Sequence, residues 1–415
     1  MRSSKTFFLT ILFACASNLA AQVNGVFVDN LKTLKVEVNG MWEPAPVVPL
    51  GGANYVLISF DDLQHNFVRR TYHIRHCNAD WTPSELIESE YLDGFNDRPI
   101  DDYSPSMNTT TLYNHYSFRI PNKDVRLTVS GNYIVDIYEE GDDEPVGRAC
   151  FSVLDNHVGV AIGVSPNTDI DQYDRHQQLS LSLNYQSYSV NRPEEELHPV
   201  ILQNRRWDTK VENIRPSEIS TYSLSYDHNR NLIFPAGNEY RRFEILDEYV
   251  PTMHVEKLDY QAPYYHASLY PDEARKNYIY DQDQDGRFLI RNSDNAENET
   301  ESDYFITHFR LEMPEIPYGT VFLNGDMSYN TYSDEYAMEY DTSEGAYILS
   351  LLLKQGAYNY QYVFIPDDNK QPTLSETEGN YYQTENEYSV YVYHRPFGAR
   401  YDHLVGYSSV KTSLR

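Results

Sequence analysis

The chain has 415 residues, which is more than one ordinary β-domain and enough for two to four domains. It contains 62 acidic and 33 basic residues, so its formal net charge is −29 at pH 7. Phosphate backbones and anionic lipid headgroups repel such a chain, so nucleic-acid binding and peripheral membrane binding are disfavoured. Tyr is abundant, with 38 residues, and it is typical of half-buried sheet faces and of partner-binding surfaces.

The first 21 residues have the pattern of a secretory signal peptide. Arg2 and Lys5 precede the apolar run FFLTILFACA, which is too short to span a bilayer, and we expect cleavage after Ala21. Loss of the two basic residues changes the formal charge from −29 to −31. Because no later apolar run reaches about 18 residues, we expect that the exported chain does not span a membrane as a helix.

A lipoprotein signal is an alternative at the same terminus. Leu12 to Cys15 reads LFAC, which fits a lipobox except for the bulky Phe13. The sequence therefore leaves open whether Cys15 is lipidated.

The rest of the chain consists mainly of short alternating runs bounded by turn signals. NYVLISFDDL, RRTYHIRHC, GNYIVDIYEE, GRACFSVLD, QLSLSLNYQ, TYSLSYDH, GRFLIRN and TVFLNGD predict strands. Only TPSEL and PDEARKNY predict short helices. The pattern indicates an all-β fold of tandem immunoglobulin-like β-sandwich domains.

Three blocks follow the signal peptide. The first, residues 22–155, ends in a hairpin that suits the last two strands of an immunoglobulin-like sandwich. The second block, residues 156–301, ends near the acidic segment NSDNAENETES. The third block is residues 302–415.

The segment YHIRHCNADW places His76, Cys77 and Asp80 close together, as a cysteine hydrolase would require in space. Neighbouring residues of a strand point to opposite faces, so His76 and Cys77 cannot form a catalytic pair by adjacency alone. A strand end followed by a polar turn and a packed Trp81 accounts for every residue. No serine triad, phosphate loop, HExxH or CxxC array occurs elsewhere, so we expect no catalytic residues and no enzyme activity.

Two cysteines, Cys77 and Cys150, remain once the signal peptide is removed. An oxidising compartment permits a disulfide between them. Both are out of phase with their apolar strand neighbours, which predicts that both lie on the less buried face of one sandwich. The alternation does not decide whether they are bonded.

The segment DQDQDGRF resembles the start of a calcium loop. Asp281, Asp283 and Asp285 stand at the first, third and fifth positions, but the last position holds Asn292 where such loops need Glu. An Asp-Gly hairpin turn explains the same residues. These carboxylates are weak metal candidates, and we expect no cofactor.

The third block contains YGTVFLNGDMSYN and GAYILSLLLKQGAYNYQYVF, and it resembles the sandwich of glycogen-binding modules. Those modules stack sugars mainly on tryptophans. The corresponding turn here reads GDMSYNTY without Trp, so Tyr329 and Tyr332 are the candidate glycan-binding residues.

A larger resemblance covers nearly the whole mature chain in order. The segments that carry it are LISFDDL, YHIRHCNADWTPSELIESEYLDGF, DYSPSMNTTTLYNHYSF, QNRRWD, AGNEYRRFE, DQDGRFLIR and TENEYSVYVYHRPFGARYDHLVGY. They resemble the plug protein family of the type IX secretion system. The resemblance implies a periplasmic, non-enzymatic subunit that closes the periplasmic mouth of a giant outer-membrane β-barrel translocon.

Two rival interpretations remain. A secreted or lipidated glycan-binding protein would expose a row of aromatic residues on the third block. A calcium-stabilised adhesin-like protein would gather Asp281, Asp283 and Asp285 around one point.

Overall fold

The structure is a computed structural model that describes residues 23–64, 66–368 and 370–413. The predicted signal peptide and Cys15 lie outside the described residues. Nearly all regular structure is β, which confirms the all-β sandwich prediction. Three separate apolar cores divide the described chain into three modules.

Module 1 comprises residues 23–155 and contains two facing sheets around one core. Along β5, alternate residues Tyr72 and Ile74 point into this core, as period-2 alternation requires. The first sheet has the order β1-β12-β11-β5-β7 with β3 beside β12, and the second has the order β2-β4-β9-β8. The elements of module 1 are β1 (Gly25–Val26), β2 (Leu31–Val38), β3 (Val47–Pro49), β4 (Val56–Asp62), β5 (Arg70–Cys77), α1 (Glu88–Tyr91), β6 (Leu92–Gly94), β7 (Arg98–Pro99), β8 (Tyr103–Pro105), β9 (Asn114–Ile120), β10 (Val125–Leu127), β11 (Gly131–Glu139) and β12 (Pro145–Leu154).

Module 2 is discontinuous and comprises residues 156–236 and 384–413. Its core takes side chains from both segments, for example Leu181 and Val390. The elements of its first segment are β13 (Gly159–Ser165), β14 (His176–Asn184), α2 (Pro193–Glu196), β15 (Leu197–Gln203), β16 (Glu218–Ile219), β17 (Ser223–Tyr226), a 3₁₀ turn (Arg230–Leu232) and β18 (Ile233–Pro235).

Module 3, residues 237–383, is inserted between the two segments of module 2. Its core includes Phe243, Phe305 and Tyr360. Its elements are β19 (Arg241–Ile245), β20 (Val255–Gln261), β21 (Tyr264–Leu269), β22 (Asp272–Glu273), β23 (Phe288–Ile290), α3 (Asn298–Glu301), β24 (Tyr304–Glu312), β25 (Gly319–Asn324), 3₁₀ turns at Asp326–Ser328 and Asp334–Tyr336, β26 (Glu339–Asp341), β27 (Ala346–Lys354) and β28 (Gly356–Pro366). Module 2 then closes with β29 (Glu387–His394) and β30 (His403–Lys411).

The strand pairing contradicts the predicted blocks 156–301 and 302–415. Strand β15 pairs antiparallel with β29 along its whole length, and β21 and β19 pair with β24 and β28 across residue 301. The prediction was wrong because local alternation identifies a strand but not its distant partner, and consecutive strands are neighbours only about two-thirds of the time.

Both predicted short helices are also wrong. The segment TPSEL is extended, with Pro83 bridged to Cys77, and the helix begins later at Glu88. In PDEARKNY, residues Asp272–Glu273 instead form β22 beside β24. In both places strand pairing takes the place of the predicted helix.

Candidate functional site

The HCNADW segment forms no nucleophilic site. His76 is buried, with Nδ1 2.9 Å from the Ser84 hydroxyl and Nε2 3.1 Å from the Ser130 carbonyl oxygen. Burial lowers the pKa of His76 to about 4 and raises the pKa of the Cys77 thiol to about 12. A neutral imidazole with both nitrogens engaged and a protonated thiol cannot act as base and nucleophile. The geometry is that of a strand end and a polar turn.

The two cysteines are free and fully buried. Cys77 on β5 and Cys150 on β12 both flank β11, opposite Asn132 and Ile134 respectively. Two strand spacings separate them by roughly 10 Å, beyond the reach of about 7 Å that a disulfide allows. The structure therefore contradicts the Cys77–Cys150 disulfide, and it also contradicts the less buried face, because module 2 covers this side of module 1.

The cover over the cysteines is the apolar contact between modules 1 and 2. Trp81 packs edge-on against Trp207 at 5.2 Å between ring centroids. The Tyr393 hydroxyl donates to the Asn132 side chain at 2.9 Å. The buried side chains of this contact are Cys77, Trp81, Ile134 and Cys150 from module 1, and Val200, Leu202, Trp207, Tyr391, Tyr393 and Leu404 from module 2.

An ionic contact joins modules 1 and 3. The Lys354 Nζ at the end of β27 lies 2.6 Å from the Asp61 carboxylate on β4, and neither side chain is more than 1% exposed. The Tyr304 hydroxyl and the His115 imidazole each lie 2.7 Å from the same carboxylate. Burial alone would raise the pKa of Asp61, but Lys354 and His115 outweigh it and hold the pKa at about 2.

Further polar groups extend the ionic contact. Lys354 also donates to the Glu299 carbonyl oxygen at 2.6 Å, and its Nζ lies 4.2 Å from the centre of the Tyr113 ring. The Glu299 carboxylate pairs with Lys35 at 2.5 Å. The buried charges Asp61, Lys354 and Lys35 therefore each have a charged partner from the other module, as buried charges require.

Modules 2 and 3 are joined by a second set of ion pairs. Glu387 on β29 binds Arg287 of module 3, and Arg205 of module 2 lies 3.2 Å from the same carboxylate. The Lys411 Nζ on β30 lies 3.0 Å from the Asp285 carboxylate. All three pairs of modules thus share contacts with buried or half-buried side chains.

A comparison with known families assigns the first module. A family model described as the type 9 secretion system plug protein 1st domain matches residues 31–155. The chain belongs to the type 9 secretion system plug protein family. The family indicates a role in type 9 secretion, an association with the cell envelope and a partner within that system.

One solved structure resembles this plug family member over nearly its full length. It is a hypothetical protein from Parabacteroides merdae, with 44% sequence identity and a TM-score of 0.93, and the match covers 94% of this chain and 99% of that chain. The shared fold therefore includes the discontinuous module 2 and the inserted module 3. A comparison with curated proteins gave no match.

The aspartates of the DQDQDG segment do not converge. Asp281 pairs with Arg242 at 2.5 Å, whereas Asp283 accepts from backbone N–H groups, at 3.0 Å in the case of Asp285. Within the described residues, no three His, Cys, Asp or Glu side chains are grouped to hold a metal ion. The arrangement does not support a calcium loop at Asp281, Asp283 and Asp285.

The candidate glycan-binding tyrosines are already engaged by other modules. The Tyr329 hydroxyl accepts from the Leu34 backbone N–H at 3.2 Å, and the Tyr332 hydroxyl lies 2.7 Å from Arg206 and 2.8 Å from Asp208. Four further tyrosines in the segments that resemble glycogen-binding modules lie buried in the core of module 3: Tyr347, Tyr358, Tyr360 and Tyr362. The structure therefore offers no exposed aromatic row at these positions.

In the part of the chain that the structure describes, no helix is long and apolar enough to cross a membrane.

Sequence reasoning missed the residues that join the modules. The one available signal was a charge at the end of an apolar run, as in LISFDDL and AYILSLLLK, where Asp61 and Lys354 are enclosed. A buried charge predicts a partner, but their positions 293 residues apart gave no indication that they pair with each other.

Proposed function

We propose that this plug family member is a non-enzymatic periplasmic subunit that closes the periplasmic mouth of the outer-membrane β-barrel of the type IX translocon. The family assignment of module 1 supports a role in this secretion system. The contacts among the three modules support closure as the physical task.

The observation that carries the proposal is the pairwise fastening of the three modules. A body that blocks a wide pore must resist bending, and domains joined by small interfaces move relative to one another by default. Here, the apolar contact fixes module 2 on module 1, and the Asp61–Lys354 pair fixes module 3 on module 1. Because modules 2 and 3 also contact each other, the three form a closed triangle rather than a string.

The charge of the chain suits a removable closure. An interface that must release should be moderate in size and partly polar, in contrast to an obligate apolar one. Because the formal charge of the chain is −29, electrostatic attraction should contribute to the binding of a partner. Added salt screens this attraction and weakens the binding. Binding that does not respond to salt would contradict this electrostatic part.

The experiment is a pull-down with the tagged mature chain from outer-membrane extract in mild detergent, followed by mass spectrometry. We expect one giant barrel protein in stoichiometric amount. Deletion of the gene that encodes this chain should also make cells more permeable to a large dye. Expression of the wild-type chain in the deletion strain should restore the permeability barrier. Absence of the barrel together with retention on an α-glucan resin would contradict the proposal and favour glycan binding.

A further inference from the structure

A band of exposed apolar side chains crosses the boundary between modules 1 and 3. We call it the seam patch. Tyr249 is 79% exposed and Val250 is 60% exposed, and the other members are also more than 40% exposed. The seam patch consists of Phe67, Tyr103, Met107 and Leu112 from module 1, and Tyr249, Val250 and Tyr260 from module 3.

The two halves of the seam patch are connected through Tyr265. Its ring stacks on Phe305 at 5.2 Å between ring centroids, and the Thr110 and Thr111 N–H groups of the loop between β8 and β9 donate to Asp303, two residues before Phe305. The Tyr260 ring packs against Tyr265 in a tilted arrangement, with 5.0 Å between ring centroids. On the module 1 side, Phe67 stacks on Tyr103 at 4.4 Å.

The segments that carry the patch are held in place. In the loop between β8 and β9, the Met107 N–H donates to the Thr300 carbonyl oxygen and the Thr111 N–H donates to the Asp303 carboxylate, both at 2.9 Å. The N–H groups of Tyr249 and Val250 both donate to the Asp247 side chain. A patch fixed before binding loses little conformational entropy when a partner docks.

Exposed patches of this kind are uncommon on monomers. Soluble monomeric proteins rarely expose contiguous apolar surface beyond a few hundred Å², and larger patches rimmed by polar residues mark interaction sites. Tyr is among the residues enriched at interface hot spots, because it supplies apolar area together with a hydrogen-bonding group. The composition of the seam patch is thus that of a binding surface.

Carboxylates without cationic partners lie next to the patch in the sequence or in space. Asp101 and Asp102 precede Tyr103, Asp247 and Glu248 precede Tyr249, and Glu301 accepts from the Asn108 side chain. Among the described residues, no Lys, Arg or His forms an ion pair with any of these five carboxylates: Asp101, Asp102, Asp247, Glu248 and Glu301.

These five carboxylates, the rim of the seam patch, restrict which partner can bind there. A second copy of the chain would place like charges opposite each other, and an anionic lipid surface would be repelled as well. The complementary partner is a protein surface with an apolar centre and a rim of Lys and Arg.

We propose that the seam patch is the docking surface of the chain, and that it seats against an apolar protein surface rimmed by Lys and Arg at the periplasmic face of the secretion barrel. The inference rests on the proposed function for the identity of the partner. It adds which face of the chain makes the contact.

The test measures binding of the full mature chain to the purified, detergent-solubilised barrel. The patch variant carries Leu112→Ser, Tyr249→Ser and Tyr260→Thr. The matched control carries Tyr318→Asn and Phe397→Ser, which remove side chains that are 84% and 91% exposed outside the patch. We expect the patch variant to bind at least about tenfold more weakly, as loss of a few hot-spot side chains does, and the control to bind like wild type.

A third variant tests the rim with Asp101→Asn, Asp102→Asn and Glu248→Gln. We expect its affinity to fall less steeply with added salt than that of wild type. Circular dichroism and thermal unfolding of each variant verify that the fold is retained.

The outcomes separate the two proposals. If wild type does not bind the barrel, the proposed function fails. If wild type binds and the patch variant binds equally well, the docking surface is overturned while the proposed function stands. A wild-type dimer that the patch variant abolishes, or binding of wild type to anionic vesicles through the patch, would also overturn the inference.

Discussion

The two surfaces that module 1 presents to its neighbours are buried to a similar degree but are built from different chemistry. Towards module 2 it presents Trp81 and two cysteines to an apolar core. Towards module 3 it presents Asp61, which is enclosed by Lys354, His115 and Tyr304. One surface gains free energy from removing apolar area from water, and the other depends on the pairing of charges in a low-dielectric environment.

The two contacts therefore differ in how strictly they fix the position of the neighbouring module. Apolar side chains stabilise many similar packings, so the apolar contact supplies affinity between modules with modest demands on position. A buried charge is tolerated only when its partner is in place, so the ionic contact penalises displaced arrangements of module 3. We therefore expect the two contacts to respond differently to substitution, pH and chemical probes.

The largest effect is expected from breaking the ionic contact on one side. Lys354→Met leaves the Asp61 carboxylate buried without its cation, which should lower the free energy of unfolding by roughly 3–5 kcal/mol. Urea unfolding followed by fluorescence measures this. The matched double variant, Lys354→Met with Asp61→Asn, removes the uncompensated charge and should recover much of the loss. A single variant within about 1 kcal/mol of wild type would show that the pair is unimportant.

A substitution in the apolar contact should lower the free energy of unfolding somewhat less than Lys354→Met. No second substitution should restore the loss, because no unpaired charge is left behind. Leu404→Ala removes a fully buried side chain between modules 1 and 2, and the resulting cavity should cost roughly 2–5 kcal/mol. Ile170→Ala is the matched control, because its side chain is 55% exposed and its loss should change stability by less than about 0.5 kcal/mol. Equal effects of the two substitutions would contradict the packing described here.

A buried carboxyl at the boundary between modules 2 and 3 should make the stability of the protein depend on pH. Glu239 is 2% exposed, accepts from the Tyr278 hydroxyl at 2.6 Å, and has its pKa raised by burial to about 7. A carboxyl whose pKa rises on folding contributes stability that is complete below its unfolded pKa and is lost as pH rises towards the folded value.

Glu239→Gln should therefore become progressively more favourable relative to wild type as pH rises from about 4.5 to about 7, by up to about 3 kcal/mol. Thermal or urea unfolding of both proteins across this range measures the difference. A difference in stability that stays constant with pH would mean that Glu239 does not titrate in this window.

The smallest effect is expected at the two buried cysteines, whose thiols should not be labelled in the native chain. Burial raises the pKa values of Cys77 and Cys150 far above that of a free thiol, and the apolar contact covers both. The native chain should not react with a thiol reagent at pH 8, and both thiols should react in urea. Rapid labelling without denaturant would show that the apolar contact opens, and a mass that lacks two hydrogens would reveal a disulfide.

The sequence predicted the fold class well because alternation is a local signal. Strands such as GNYIVDIYEE and QLSLSLNYQ were recognisable without their partners. The division of the chain after residue 155 could not be predicted in this way, because the whole of the inserted module 3 lies between β15 and β29 in the sequence. No local pattern encodes that pairing.

The same limit applies to the sites. Cys77 and Cys150 were placed on a less buried face because the phase of a strand shows the core of its own sandwich but not the cover from another module. Tyr329 and Tyr332 looked available for the same reason, although module 1 and module 2 occupy them. Residues such as Lys354 become interpretable only once the modules are assembled.

The most direct test of closure is electrical. The purified barrel would be reconstituted in a planar lipid bilayer, and the mature chain would be added to its periplasmic side. We expect that the pore current falls in a saturable manner, and that the Lys354→Met variant, whose module 3 has lost its buried ion pair with module 1, blocks less completely at the same occupancy. An unchanged current with wild-type chain bound to the barrel would contradict closure as the function of this protein.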